Sequence, residues 1–406
     1  MNDFDQIIDR RNSHSTKWEK YAGRDILPFW IADMDFAVPD FILTALRARL
    51  DHPIIGYTKP PASITEAFQG WLQHHYKWSI PEEWVVWLPG VVPGMNMAAR
   101  CLEAQQKIMI PTPVYYPFLE IANNAQRQDV RVPLTLDQGL WRMDLESMQT
   151  QVDGVKMAMI ANPQNPTGRA YTLAELQALA DFIERNDLIL VSDEIHCNIV
   201  LAEDSQHLPV AQWIPDIAHR TISLFAATKT YNIPGLGCAA AVIPDDNLRE
   251  RFQAQEAGLV SGIGPLNLVA SEAAFNDRSD WLNLLLQHLR ANAARLQAVA
   301  GTRMTHVEAT YLAWINIADL GLNNIEAHFE VARLRHFRWY AIWSSRLYTL
   351  QLCLPGRIAD PRPAAFRPGI TRLRTTSPDL KISVCFSSVS LLDRRLKRPV
   401  VILRPA

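Results

Sequence analysis

Between about residues 80 and 245 the chain alternates short apolar runs with stretches of helical periodicity, and each apolar run ends on a polar cluster. "KMAMIAN" (156–162) runs into "NPQNPTG", "DLILVSDEI" ends in "SDEIH", and "TISLFAA" leads to "TKTYN". Short buried runs separated by helical segments predict strands of a parallel sheet joined by crossover helices. "TLAELQALADFIERN" reads as one such helix, opened by a Thr172/Glu175 capping box. Ligands of open α/β sheets bind outside the carboxyl ends of the strands, so the three polar clusters are expected to share one site. "LLQHLRANAARLQAVAG" (285–301) predicts a long helix leading out of this domain. The expected fold class is therefore α/β: a large domain with a mostly parallel central sheet flanked by helices, plus a smaller α+β domain.

A chain of 406 residues suits two domains, and its size calls for no metal or disulfide staple. The five cysteines (Cys101, Cys197, Cys238, Cys353 and Cys385) are odd in number, scattered and without metal-ligand spacing, which fits a reducing compartment and no zinc site. The start, "MNDFDQIIDRRNSHS", lacks the basic-then-apolar layout of a secretory signal, and no apolar run approaches the length of a bilayer span. A cytoplasmic, soluble protein is expected.

Lys229, in "SLFAATKTYNIPGLGCAA", stands at the end of an apolar run. Taken singly it reads as a strand-end lysine with its head in water, Asp193 as a strand cap and Asn165 as a turn residue before proline. Taken together they gain a chemistry. A lysine amine, a carboxylate and a side-chain amide at three strand ends are what an enzyme needs to hold pyridoxal 5'-phosphate. The lysine forms the Schiff base, the carboxylate keeps the pyridine nitrogen protonated, and the amide tunes the phenolic oxygen.

These motifs, in this order and spacing, resemble the fold-type I pyridoxal-phosphate enzymes of the class I/II aminotransferase superfamily. Within it, "FWIADMDF" (29–36), "GYTKP" (56–60), "PTPVYYPF" (111–118), "SDEIHCNIV" and "TYLAWINI" (310–317) resemble the MalY/PatB branch of cysteine-S-conjugate (cystathionine) β-lyases over about residues 1–328. The resemblance implies that Lys229 is the Schiff-base lysine and the acid/base at the substrate Cα. It implies Asp193 at the pyridinium, Asn165 at the phenolate and Tyr115 stacked on the ring. Gly90, Val91 and Val92 would offer backbone N–H groups to the phosphate and Thr228 a hydroxyl. Tyr57 would reach the phosphate of a neighbouring subunit, implying a homodimer. His196 stands where many relatives keep a tyrosine near the phenolate. Tyr115 and His196 equally suit core packing. Ala226 and Gly237 depart from the wider superfamily, which often has Ser and Arg there. The implied reaction releases a thiol, pyruvate and ammonia from an amino-acid thioether. The alternatives are an aminotransferase, which the same residues serve, and a regulatory protein restraining a transcription-activator partner.

The likeness stops after "IEAHFE" (325–330), where the charge balance inverts. Residues 331–406 hold 13 Arg and 2 Lys against 3 Asp, a net +12, which leaves 25 basic and 39 acidic residues, or -14, in the rest. The arginines are interspersed with Pro, Trp, Leu and Cys rather than clustered, which argues against a nucleic-acid or membrane arm. Relatives carry there a pattern like FG…R-x-N-F-x-C-P, whose arginine grips the substrate carboxylate. Read one nucleotide later with permitted codons, residues 335–360 can encode GISDGTPFGAADYTRYNFACPGELL, with the arginine straddling the codons of Thr349 and Leu350. The tail is therefore expected to be out of frame. The expected divisions are 1–47 (an N-terminal segment belonging with the small domain), 48–285 (the cofactor-binding domain), 286–330 (the start of the small domain) and 331–406 (the anomalous tail).

Overall fold

Each apolar run becomes a buried strand in the computed structural model, which describes residues 4–317 and the backbone of 334–338, 347–351, 382–385 and 400–403. The strands in chain order are β1 (Leu27–Phe29), β2 (Val85–Leu88), β3 (Lys107–Thr112), β4 (Gln128–Pro133), β5 (Thr135–Asp137), β6 (Leu140–Arg142) and β7 (Val155–Ala161). There follow β8 (Ile189–Asp193), β9 (Thr221–Phe225), β10 (Ala239–Val242), β11 (Leu312–Asn316), β12 (Leu334–Arg338) and β13 (Leu347–Gln351). Seven of them form one sheet in the order β2-β10-β9-β8-β7-β3-β4. Only β10 runs against its neighbours.

Helices cover both faces, which is why these strands read as continuous apolar runs rather than alternating ones. Along β9, Ile222 and Leu224 enter the core on one side and Phe225 the core on the other. The helix Leu173–Arg185 opens with the expected capping box. The Glu175 N–H donates to the Thr172 hydroxyl at 3.3 Å, and the Thr172 N–H donates to the Glu175 carboxylate at 2.8 Å. The long helix expected over 285–301 spans Trp281–Ala300. It starts earlier because Trp281 anchors its first turn in the core, stacked 5.4 Å from Tyr231.

A second sheet has the order β1-β12-β13-β11, with β1 parallel to β12. The N-terminal strand thus pairs with chain some 300 residues later. The expected disruption of the tail concerns side chains that lie outside the described residues. Among the described residues Cys101, Cys197 and Cys238 are free, no group of side chains has metal-ligand geometry, and no helix is long and apolar enough to cross a membrane.

Candidate active site

The sheet register explains why distant motifs meet. Asp193 closes β8 opposite Ala161 of β7, and the Asn162 N–H donates to the Asp193 carbonyl at 2.9 Å. The turn carrying Asn165 therefore emerges beside Asp193. On the other side β9 ends at Phe225, three residues before Thr228 and four before Lys229. Strand β10 pairs its first residues with the last of both β2 and β9 (Ala239 with Leu88, Ala240 with Phe225), so the Gly90 turn opens at the same edge.

Burial gives these groups unusual ionisation. Desolvation raises the Asp193 carboxyl to about 7, against the Ile195 N–H, which donates to it at 3.1 Å, and the nearby Lys229 charge. His196 is pushed the other way, to about 3, by burial and then by Lys229. Among the described residues neither ring nitrogen of His196 has a hydrogen-bond partner, nor does the buried Oδ1 of Asn165. Burial also raises the Tyr115 hydroxyl, with Tyr116 and Asp193 adding to the effect. Asp193, His196, Lys229 and Tyr115 are thus close enough to feel one another.

The half-buried Lys229 amine donates to the Ala32 carbonyl at 2.6 Å, and the Tyr311 hydroxyl donates to the same oxygen at 3.1 Å. Tyr311 also meets His196 edge to face, with ring centroids 5.4 Å apart. Sequence reasoning quoted the motifs containing Ala32 and Tyr311 but gave those residues no role. A main-chain acceptor is invisible in a motif of side chains. Glu194, next to Asp193, is also buried, but it serves structure: His207 Nε2 bonds its carboxylate at 2.8 Å.

The helix Val91–Arg100 begins at Gly90 with no side-chain cap, leaving its first N–H groups available to an anion. Thr228 is buried beside Lys229. At Gly237 a Cβ would fall on the Pro89 carbonyl, so no side chain fits where much of the superfamily has Arg. Ala226 is buried and brings no hydroxyl. Tyr57 does not join the cluster; it stands fully exposed in the segment after the helix Asp40–Leu50.

Polar atoms of Asn165 and His196 without partners among the described residues, a carboxyl raised by desolvation, a lysine amine beside it and a helix N-terminus with no side-chain cap together fit pyridoxal phosphate. The comparisons agree. The aminotransferase class I and II family model matches residues 24–336. The chain is 33% identical over 337 residues to cystathionine beta-lyase PatB of Bacillus subtilis (strain 168), covering 80% of this chain and 87% of that protein. The crystal structure of OvoB superposes with a TM-score of 0.84 at 38% identity, covering 87% of this chain and 95% of that one. The PLP-bound C-S lyase from Staphylococcus hominis gives 0.80 at 28%, covering 87% and 94%. With the matched model spanning most of its length and the predicted sheet carrying the matched motifs, the chain belongs to the class I and II aminotransferase family.

Proposed function

We propose that this protein is a pyridoxal-phosphate-dependent carbon–sulfur β-lyase that converts a cysteine S-conjugate such as cystathionine, with water, into a thiol, pyruvate and ammonia. The observation that carries the reading is the convergence of Lys229, Asp193, His196 and Asn165 at the carboxyl ends of neighbouring strands, with Asp193, His196 and Asn165 buried and Lys229 half-buried. The likeness to the cystathionine beta-lyase PatB and to the Staphylococcus C-S lyase favours β-elimination among the reactions such a site serves.

When bound, the cofactor supplies an electron sink for the pair left at the substrate Cα. Lys229 would hold the cofactor through its amine and would serve as the base that takes the Cα proton. Asp193 would keep the pyridine nitrogen protonated, since a cation placed against a carboxyl that burial raises to about 7 would favour its anion. Asn165 and His196 would meet the phenolic oxygen and Tyr115 the ring, and the N–H groups of Gly90, Val91 and Val92 with the Thr228 hydroxyl would hold the phosphate. As the C–S bond breaks, its electron pair leaves on sulfur, which departs as the thiol.

The protein works as a homodimer in which Tyr57 reaches the partner's phosphate; its full exposure, with Ile54 and Ile55 exposed beside it, supports this. Borohydride reduction followed by peptide mass spectrometry tests the reading: the cofactor adduct is expected on Lys229. Pyruvate is expected from cystathionine with no keto acid present, with a loss of about 10²–10⁴-fold in Lys229→Ala. An adduct on another lysine, or turnover only with a keto acid, would refute it.

The tail bears on activity. The family match ends at residue 336, next to codons 331–335, where we place a single-base insertion or deletion. The chain as written lacks the arginine clamp, and losing such a charge-assisted contact costs about 1.5–3 kcal/mol of binding.

A further inference from the structure

The Ala32 carbonyl that receives the Lys229 amine lies in residues 30–36, a stretch without regular structure. Something must hold it at bonding distance. Tyr311 bonds that oxygen directly, and Asn232, one turn beyond Lys229, bonds the main chain two and four residues further on. Its Oδ1 accepts from the Met34 N–H at 2.9 Å, and its Nδ2 donates to the carbonyls of Met34 at 3.0 Å and Phe36 at 2.8 Å. Asn232 adopts φ +56°, a left-handed conformation that asparagine tolerates better than most residues.

The opposite side of the strip is pinned independently. Arg10 bonds Asp33, Asp35 and the Met34 carbonyl, and the buried Lys17 amine donates to Asp35 at 2.7 Å and to the Asp33 carbonyl at 2.9 Å. One short turn, 229–232, therefore carries both the amine and the clamp on the strip that receives it. The Asn232 bonds tie Met34 and Phe36, two and four residues beyond Ala32, to the turn that carries Lys229.

The geometry points to Asn232 as a positioning residue for Lys229: it fixes the seat of the amine whenever that amine is not joined to the cofactor. This rests on the reading of Lys229 as the reactive lysine. A lysine stem has many rotamers, and holding its head in one place lowers the entropic part of any step in which it takes a proton.

Asn232→Gly is the informative variant, because glycine keeps the positive φ without strain and removes only the clamp. Asn232→Asp retains the acceptor for Met34 and loses both donations. On the cofactor-free, full-length protein, two quantities are read by peptide mass spectrometry: amide hydrogen exchange over 30–36, and the rate at which acetic anhydride labels Lys229 relative to the other lysines. Asn232→Gly is expected to speed exchange there about tenfold or more while the sheet strands keep their protection, and to raise Lys229 labelling several-fold, with Asn232→Asp between it and the native protein. In the loaded enzyme kcat falls about tenfold at nearly constant KM, as misplacement of a base requires. Exchange and labelling that match the native protein would overturn the assignment; should Asn232→Gly not fold, the same two readings on Asn232→Asp decide. A native protein with no borohydride-fixed cofactor on Lys229 would remove the lyase reading instead, and the cofactor-free measurements would still judge the clamp.

Discussion

Asp193 and His196 leave water in opposite senses, and the difference is measurable. The folded Asp193 carboxyl titrates at about 7 against 3.8 for the ordinary group, so between about pH 4 and 7 the folded cofactor-free protein holds a proton that the unfolded chain has released. Its contribution to stability therefore falls as pH rises through that window. His196 does the reverse: lowered from 6.5 to about 3, it gives up a proton that the unfolded chain keeps, and stability rises with pH between those values. The two oppose each other, so the native curve alone hides both. Asp193→Asn removes the falling component. Relative to the native protein, the variant is expected to gain stability steadily from pH 4 to 7 and then level off, measured as urea midpoints without cofactor. A flat difference would mean that Asp193 is not desolvated as the structure has it. At this scale residue types at strand ends let the sequence name Lys229, Asp193 and Asn165 as candidates, and the sheet register makes their strands neighbours. The Ala32 carbonyl and the ionisation of Asp193 and His196 were not readable from sequence, because both depend on what surrounds them.

Individual elements are joined to the site by contacts that admit little change. Gly94 lies where the helix Val91–Arg100 crosses the sheet, and a Cβ there would sit 2.8 Å from Leu88 Cδ1 and 3.1 Å from a Leu224 methyl. Gly94→Val should push the helix off the sheet, at about 1–3 kcal/mol of stability. Because the first turn of that helix faces the candidate phosphate position, cofactor affinity should fall with the urea midpoint. Retained affinity would show that the helix N-terminus is not part of the cradle. The Asn165 turn is tied down differently. Buried Arg169 donates to both oxygens of Glu175, at 2.7 and 2.6 Å, to the Trp141 carbonyl at 3.0 Å and to Glu308. The Gly168 carbonyl accepts from Glu308 and Ala309. Arg169→Met leaves Glu308 without its arginine and Glu175 with Arg142 alone, and should destabilise toward the lower end of about 3–5 kcal/mol, because both carboxylates retain some contact with water. The capping box at Thr172 was predictable because it is local in sequence; the Arg169 pair, spanning 139 residues to Glu308, was not.

The whole molecule depends on two features that a single chain shows only indirectly. Full exposure of Tyr57 makes sense if a second copy covers it, and the native protein should sediment as a dimer. Tyr57→Ala should leave the dimer intact and weaken cofactor retention about tenfold, the scale of one hydrogen bond to a charged group. A monomer with full cofactor affinity would contradict the shared site. The change from -14 to +12 in net charge near residue 330 should trace to a single base: resequencing codons 325–350 is expected to restore R-Y-N-F-A-C-P in frame. An unchanged reading would make the loss of the clamp a property of the protein.

The sequence by itself indicated the architecture, because strand and helix periodicities are local, and the resemblance of its motifs to a known family indicated the reaction class. Tertiary structure alone decided which atoms are left without partners, how burial sets their charge, and that the lysine turn and an N-terminal strip nearly 200 residues away hold each other in place. Those properties arise from desolvation and from contacts between distant segments, and no local pattern encodes either.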